Sequence, residues 1–334
     1  MKKKKINQIK NFIILGGSLT SLEFCKFLQI KKVNHELFFN KRQSKEKFKN
    51  FFFIDLVKKD KAKYTITNNI NKCKNFKKYN PYNSIIIGFG QPWKLENKIL
   101  KAFENRSFDV MGIPMPEYRG GAHYSWMIIN QNYRGGIFIQ DISKKTIQGK
   151  IDTNRFIDGI YYNYPNKLKI PQDFFDYSSK KEIVFLKKFY NKIKNNFNFK
   201  FKKFSCHKSL FFPRLLSSKN SFIDWNFPDS DLINFINAFD DPYPGAQTFL
   251  SDTKVYLKKI KIFKNKHFGS FSKGLIINKD KNLIYISLKN KIITTGIILN
   301  RKKENIFKKI KVGERFFTPK KFLEISMGFM RKDL

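Results

Sequence analysis

Between Asp109 and Trp126 the sequence reads Asp-Val-Met-Gly-Ile-Pro-Met-Pro-Glu-Tyr-Arg-Gly-Gly-Ala-His-Tyr-Ser-Trp, eighteen residues without a lysine. Pro114 and Pro116 fix φ, while Gly120 and Gly121 permit backbone geometries that other residues avoid. Together they describe a loop of fixed shape, of the kind a chain holds where a ligand lies against its backbone. Arg119 is the cation there best suited to hold phosphate groups, or else to tie down its own loop. His123 follows at the start of a helix, where an imidazole can move protons or simply cap and pack. The other reactive side chains are scattered: Cys25, Cys73 and Cys206, with His35, His207 and His267. Cys206-His207 has metal-ligand residue types but no second half at ligand spacing, so no metal is expected.

The elements that must position this loop can be read from periodicity. Phe12–Leu15 is a buried strand, Gly16-Gly17-Ser18 a tight turn, and Ser21–Gln29 a helix with Leu22, Cys25 and Leu28 on one face. Ser18 or Thr20 is the expected cap. Phe51–Val57 reads as a second strand and Lys58–Tyr79 as irregular. Ser84–Ile87 is a strand closed by Gly88-Phe-Gly-Gln-Pro-Trp93, followed by a helix over Leu95–Phe103. Ser107–Met111 is a strand, Ala122–Asn130 a helix, Gly136–Ile142 a strand and Lys180–Asn195 a helix. This alternation predicts an α/β fold, a doubly wound and mostly parallel sheet with helices on both faces. Ligands of such sheets sit at the carboxyl ends of the strands. That rule gathers Gly16–Ser18, Gly88–Trp93 and Met111–Gly121. Further on, Asp229-Ser230 caps a helix whose apolar face is Leu232, Phe235, Ile236 and Phe239, and Asp241-Pro-Tyr-Pro-Gly-Ala246 stops it. Short alternating runs after it predict a small antiparallel barrel. The expected division is 1–215, a linker over 216–250, and a barrel over 251–334.

The chain has 334 residues, 38 of them Phe, and a formal charge of +41. Such a charge first suggests a nucleic-acid partner. Of the 67 basic residues only nine are arginine, however, and readers of nucleic acid rely on arginine's planar fork. Lysine spread evenly among Asn, Ile and Phe is the mark of coding drift toward A and T, and leaves a diffuse field that attracts anionic substrates. No segment reads as a signal peptide or a membrane span, and an odd number of cysteines suits a reducing compartment, so a cytoplasmic protein is expected.

These pieces together resemble the folate-dependent formyltransferase family, which includes methionyl-tRNA formyltransferases and the N-formyltransferases of nucleotide-linked amino sugars. Ile87-Gly-Phe-Gly90 is similar to the strand-end loop beside the folate, and Pro116-Glu-Tyr-Arg-Gly-Gly121 to a Pro-x-Tyr-Arg-Gly signature. Ile223-Asp-Trp225 and Pro242-Tyr-Pro-Gly-Ala246 are similar to the entry into the family's C-terminal open β-barrel. The resemblance implies 10-formyltetrahydrofolate as cosubstrate, with Gly88, Phe89, Gly90, Gln91 and Ile142 toward the folate. Gly16, Tyr118, Arg119, Gly120 and Trp126 fall toward the amine substrate. It implies no metal and no membrane, and a homodimer fits it.

The same resemblance implies catalysis by an Asn and a His ahead of the signature and a later Asp, which stabilise an oxyanion and manage protons. In register, Asp109 stands for the Asn, Met111 for the His and Ile147 for the Asp. Met111 cannot transfer a proton, Ile147 cannot hydrogen-bond, and an ionised Asp109 would repel the oxyanion. His123 is the candidate replacement. Three functions follow: transfer of a formyl group to a nucleotide-linked amino sugar, with initiator tRNA as the rival substrate; a non-catalytic binding or partner protein; and, last, a lysine-rich nucleic-acid binder. Asn40–Asn50 lacks the glycine-bearing element of the tRNA enzymes, which favours the sugar.

Overall fold

A computed structural model describes residues 9–48, 50–143, 154–195 and 199–328. Ile147, expected at the site, falls in residues 144–153, which lie outside the described residues. Contacts divide the chain into two compact units, each drawn from separated stretches: Met1–Tyr118, Arg134–Tyr162 and Tyr177–Leu210 in the first, and Arg119–Tyr133, Asn163–Asp176 and Phe211–Leu334 in the second.

The first unit is built on an eight-stranded sheet. Its strands are β1 (Asn11–Leu15), β2 (Asn34–Phe39), β3 (Tyr64–Ile66), β4 (Ser84–Gly88), β5 (Ser107–Met111), β6 (Arg134–Asp141), β7 (Arg155–Asn163) and β8 (Lys202–Lys203). They lie in the order β8-β7-β6-β5-β4-β1-β2-β3. The strands from β3 to β5 run parallel, with Leu15 opposite Gly88 and Gly88 opposite Asp109. β6 is antiparallel to β5, placing Gln140 opposite Asp109 and Phe138 opposite Met111. The chain steps outward from β1 to β2 and β3, then returns to β4 on the other side of β1. That reversal marks the carboxyl ends of β1 and β4 as the place where sheets of this kind form a ligand crevice.

Apolar side chains fix this arrangement from both faces. Phe12 and Ile14 pack with α1 (Leu19–Ile30) and with Phe185, Leu186 and Phe189 of a long helix. Ile13, Leu15 and Ile86 pack against Ile99 and Leu100 of a short helix at Asn97–Ala102. Each such side chain taken fully from water contributes about 1.5–3 kcal/mol. Ser18 caps α1 in a reciprocal box with Ser21. The turn from β1 into α1 is thereby fixed.

Several expected elements differ. Phe51–Val57 is not a sheet strand: Phe51–Phe52 makes a two-residue ladder and a helix, Phe53–Lys59, begins at once, its Phe53 and Val57 buried. The strand beside β1 is instead Asn34–Phe39, and β3 lies inside the stretch read as irregular. The helix expected over Lys180–Asn195 begins at Pro171, where Asp173 accepts hydrogen bonds from the backbone N–H groups of Lys169 and Ile170.

In the second unit a helix at His123–Ile129 meets another at Asp229–Ala238, where the Ser125 hydroxyl donates to the Ala238 carbonyl at 2.8 Å. Asp229 begins that second helix rather than capping it. Its carboxylate receives the backbone N–H groups of Lys289 and Asn290, so it holds a turn in the C-terminal strands. Two four-stranded antiparallel sheets follow, built from strands between Ala246 and Phe317. Among the described residues no helix is long and apolar enough to cross a membrane.

Candidate active site at the strand ends

The crevice is lined by glycines for steric reasons. Gly16, at φ +101°, approaches Phe89 so closely that a Cβ would sit 2.3 Å from its carbonyl oxygen. The Phe89 N–H donates to the Leu15 carbonyl at 2.7 Å, clamping the β4 turn onto the end of β1. A Cβ on Gly88 would meet Asp109 Oδ1 at 2.4 Å and Gln91 Cγ at 3.5 Å. Gly16, Gly88, Gln91 and Asp109 therefore form one cluster, as the strand-end rule expects. The Phe89 side chain turns away into the core beside Phe24. Ile142 lies in the apolar cluster with Ile13, Leu15 and Ile86. Gly90, at φ +56°, has open space where a side chain would stand.

Asp109 is the unusual member. Its Oδ1 is sealed from solvent and accepts no hydrogen bond, and Gln91 Oε1 is in the same state. Burial pushes the Asp109 carboxyl up to about 7, opposed only weakly by the Val110 N–H. Burial thus disfavours the charged form, which weakens the objection that a fixed negative charge stands at this position.

Met111 points into an apolar cluster with Ile113, Met115, Phe138, Phe156 and Phe204 and takes no part in a polar network. That cluster explains the loop's fixed shape. The Tyr161 hydroxyl donates to the Met115 carbonyl at 2.5 Å. Arg134 pairs with Glu117 at 2.9 Å and lies over the Tyr161 ring. Tyr118 is buried at the end of this segment.

Arg119, Gly120, His123 and Trp126 belong to the second unit. Arg119–Gly120 pairs in parallel with Phe211–Phe212, and Gly120, at φ +109°, has no room for a Cβ beside the Phe212 carbonyl. The Trp126 Nε1–H donates to the Pro213 carbonyl at 2.8 Å, and its ring packs on Phe212. His123 packs on Tyr124, with Nε2 sealed and without a partner, and burial pulls its imidazole down to about 4, leaving it neutral at physiological pH.

Glu182 escaped the sequence reading. It accepts the Thr20 hydroxyl at 2.7 Å, and its Oε1 lies where a Cβ of Gly112 would stand. Burial raises its carboxyl and the Thr20 hydrogen bond lowers it. The available signal was spacing: Glu182 shares a helix face with Phe185, Leu186 and Phe189, an odd place for a carboxylate. Asp141, by contrast, is structural. It lies on the sheet face opposite Asp109, accepts the Ser143 N–H and hydroxyl, and pairs with Arg155 at 3.4 Å. Among the described residues no group of three or more His, Cys, Asp or Glu is placed to hold a metal ion.

Residues 215–309 match the family model for the formyl transferase C-terminal domain. Over 256 residues the chain is 30% identical to the bifunctional polymyxin resistance protein ArnA of Wigglesworthia glossinidia brevipalpis, a match covering 72% of this chain but only 35% of that protein. It is 25% identical over 249 residues to the methionyl-tRNA formyltransferase of Mycoplasma capricolum subsp. capricolum, covering 70% of this chain and 73% of the relative. Among solved structures, WlaRD, a sugar 3N-formyl transferase crystallised in the presence of dTDP and 5-N-formyl-THF, shares the fold at a TM-score of 0.61. Its identity is 18%, with 86% of this chain and 98% of that one covered.

Proposed function

We propose, for a chain that belongs to the formyltransferase family, that it moves a formyl group from 10-formyltetrahydrofolate to the amine of a nucleotide-linked sugar. The observation that carries this reading is the crevice at the ends of β1 and β4, where glycines leave no room for side chains and two buried acceptors have no partner. An orphaned buried acceptor in a native fold needs a partner, which a bound ligand or water supplies. Those residues fit a folate formyl donor: Gly90 leaves open space where a side chain would stand, next to the unmet acceptors of Asp109 and Gln91. When bound, the donor supplies an activated one-carbon group, and the chain's part is to orient an amine toward it and manage the proton that the amine loses.

The sugar substrate is favoured over tRNA by the likeness to a sugar 3N-formyl transferase and by the absence of glycine from Asn40–Asn50. One observation favours a non-catalytic binding protein instead: Met111 stands where the resemblance implies a histidine, and it is committed to the apolar cluster.

Incubation with 10-formyltetrahydrofolate and a dTDP-linked 3-amino sugar decides between them. The expected products are tetrahydrofolate and an N-formylated sugar nucleotide, identified by mass. Binding of 5-formyltetrahydrofolate without any turnover would favour the non-catalytic reading, and absence of both would remove the folate from the proposal.

A further inference from the structure

Two side chains that carry unmet acceptors meet at Gly88. Asp109 Oδ1 lies where its Cβ would be, Gln91 Cγ lies 3.5 Å from the same point, and both Asp109 Oδ1 and Gln91 Oε1 are closed from solvent without a hydrogen bond. Unmet acceptors at one glycine ask for a ligand that brings N–H groups. An amine brings them; a phosphate or a carbonyl does not. We infer that Asp109 is the general base of the formyl transfer and that Gln91 holds a second N–H of the same amine, an inference that rests on the function proposed above.

The step balances within the site. The amine enters uncharged, and its nitrogen lone pair forms the bond to the formyl carbon while Asp109 Oδ1 takes one N–H proton. The C=O π pair moves to oxygen during the attack, and it re-forms the double bond as the bond from the formyl carbon to the donor's nitrogen breaks. The electron pair of the broken bond stays on that nitrogen, and Asp109 returns the proton there. The formyl group and one proton have exchanged nitrogens, the carboxylate is regenerated, and no oxidant or outside acid is consumed.

The surroundings suit a proton carrier. β4 brings no acidic or basic side chain. β6 brings neutral Gln140 opposite Asp109, with Asp141 on the other face against Arg155. The long helix brings Glu182 against Gly112. No cation of this set holds Asp109 ionised, and a carboxyl that titrates near neutrality can both take and return a proton. Met111, packed among Phe138 and Met115, cannot share the task.

The test follows kcat/KM for the dTDP-linked 3-amino sugar, at saturating 10-formyltetrahydrofolate, across neutral pH. The wild-type protein should show a limb rising through about pH 7. Asp109→Asn and Asp109→Ala should lose that limb and fall about a hundredfold or more in rate, while still binding 5-formyltetrahydrofolate. Ionisation of the amine itself adds a limb at higher pH that all variants keep. Gln91→Ala should raise KM for the amine about tenfold. An Asp109→Asn protein with wild-type rate, or a limb near pH 7 that survives in Asp109→Ala, would overturn the inference alone. A wild-type protein that binds 5-formyltetrahydrofolate yet never turns over would overturn the proposed transfer and this inference together.

Discussion

The two ends of the first unit's sheet are both polar, and they differ in what their polar atoms do. At the amino ends of the strands, Asn11, Asn34, Glu36, Lys63, Tyr79 and Asn83 line a cavity of about 420 Å³. The groups around it largely bind one another. Asn11 donates to Asn83 and Ser84, Asn34 donates to Asn11, and Glu36 accepts the hydroxyls of Thr65 and Tyr79 at 2.6 and 2.8 Å. At the carboxyl ends the crevice is defined by glycines, and Asp109 Oδ1 and Gln91 Oε1 are left without partners. Space and polarity alone therefore do not mark a site. A closed network stabilises the fold, whereas unmet acceptors hold free energy that a ligand's N–H groups can recover.

Substitutions at both ends can break or sharpen that contrast. The largest effect is expected for Asp109→Asn on stability. A carboxyl raised on folding from about 3.9 costs nothing while both states are protonated, and costs more as pH climbs toward the folded value. With the folded group at about 7, wild-type stability should decline between about pH 4 and 7. The variant should then be more stable than wild type by about 2 to 4 kcal/mol at pH 8 and equal to it near pH 4 in urea melts. A difference that does not change with pH would show that the crevice carries no such cost. Next, Glu36→Ala should destabilise by about 2 kcal/mol, because two half-buried hydroxyls lose their shared acceptor, with formyl transfer unchanged. An effect of Glu36→Ala on the rate would erase the distinction between the ends. Gly16→Ala should cost about 2 kcal/mol through its positive φ and the Phe89 carbonyl, and weaken 5-formyltetrahydrofolate binding as well, measurable by calorimetry. The smallest effect, about 1 kcal/mol, is expected for Tyr79→Phe, since it removes one hydrogen bond; a loss several times larger would mean that the network is cooperative beyond its pairs.

The sequence showed the crevice better than it showed the rest of the sheet, for physical reasons. β1, β4 and β5 are apolar runs ended by glycine or by the proline-rich loop, and buried parallel strands read that way on their own. β2 was missed because Asn34 and Glu36 serve the polar network at its amino end, so Asn-His-Glu-Leu-Phe-Phe does not look like a core strand. Phe51–Val57 reads as a strand because aromatic density imitates β-propensity, while Phe53 and Val57 are one helical turn apart. The antiparallel direction of β6 is set by pairing with β5, which local pattern does not encode. In the site, the identity of Asp109 was legible but its isolation was not, since that depends on Gly88 and Gln91 from another strand's loop. Glu182 becomes a site neighbour only once the long helix packs beside Thr20.

The carboxyl at position 109 is also one base away from an amide. Lysine, asparagine, isoleucine and phenylalanine dominate this chain as they do under mutational drift toward A and T. Aspartate and asparagine codons differ by a single base, and passing from the first to the second exchanges G for A, the direction of that drift. Asparagine is also the residue that the family resemblance implies there, and it would relieve the buried charge. Mutation pressure and folding stability thus both push position 109 toward asparagine. A single-base change would therefore replace a group at this crevice that can carry a proton with an amide that cannot.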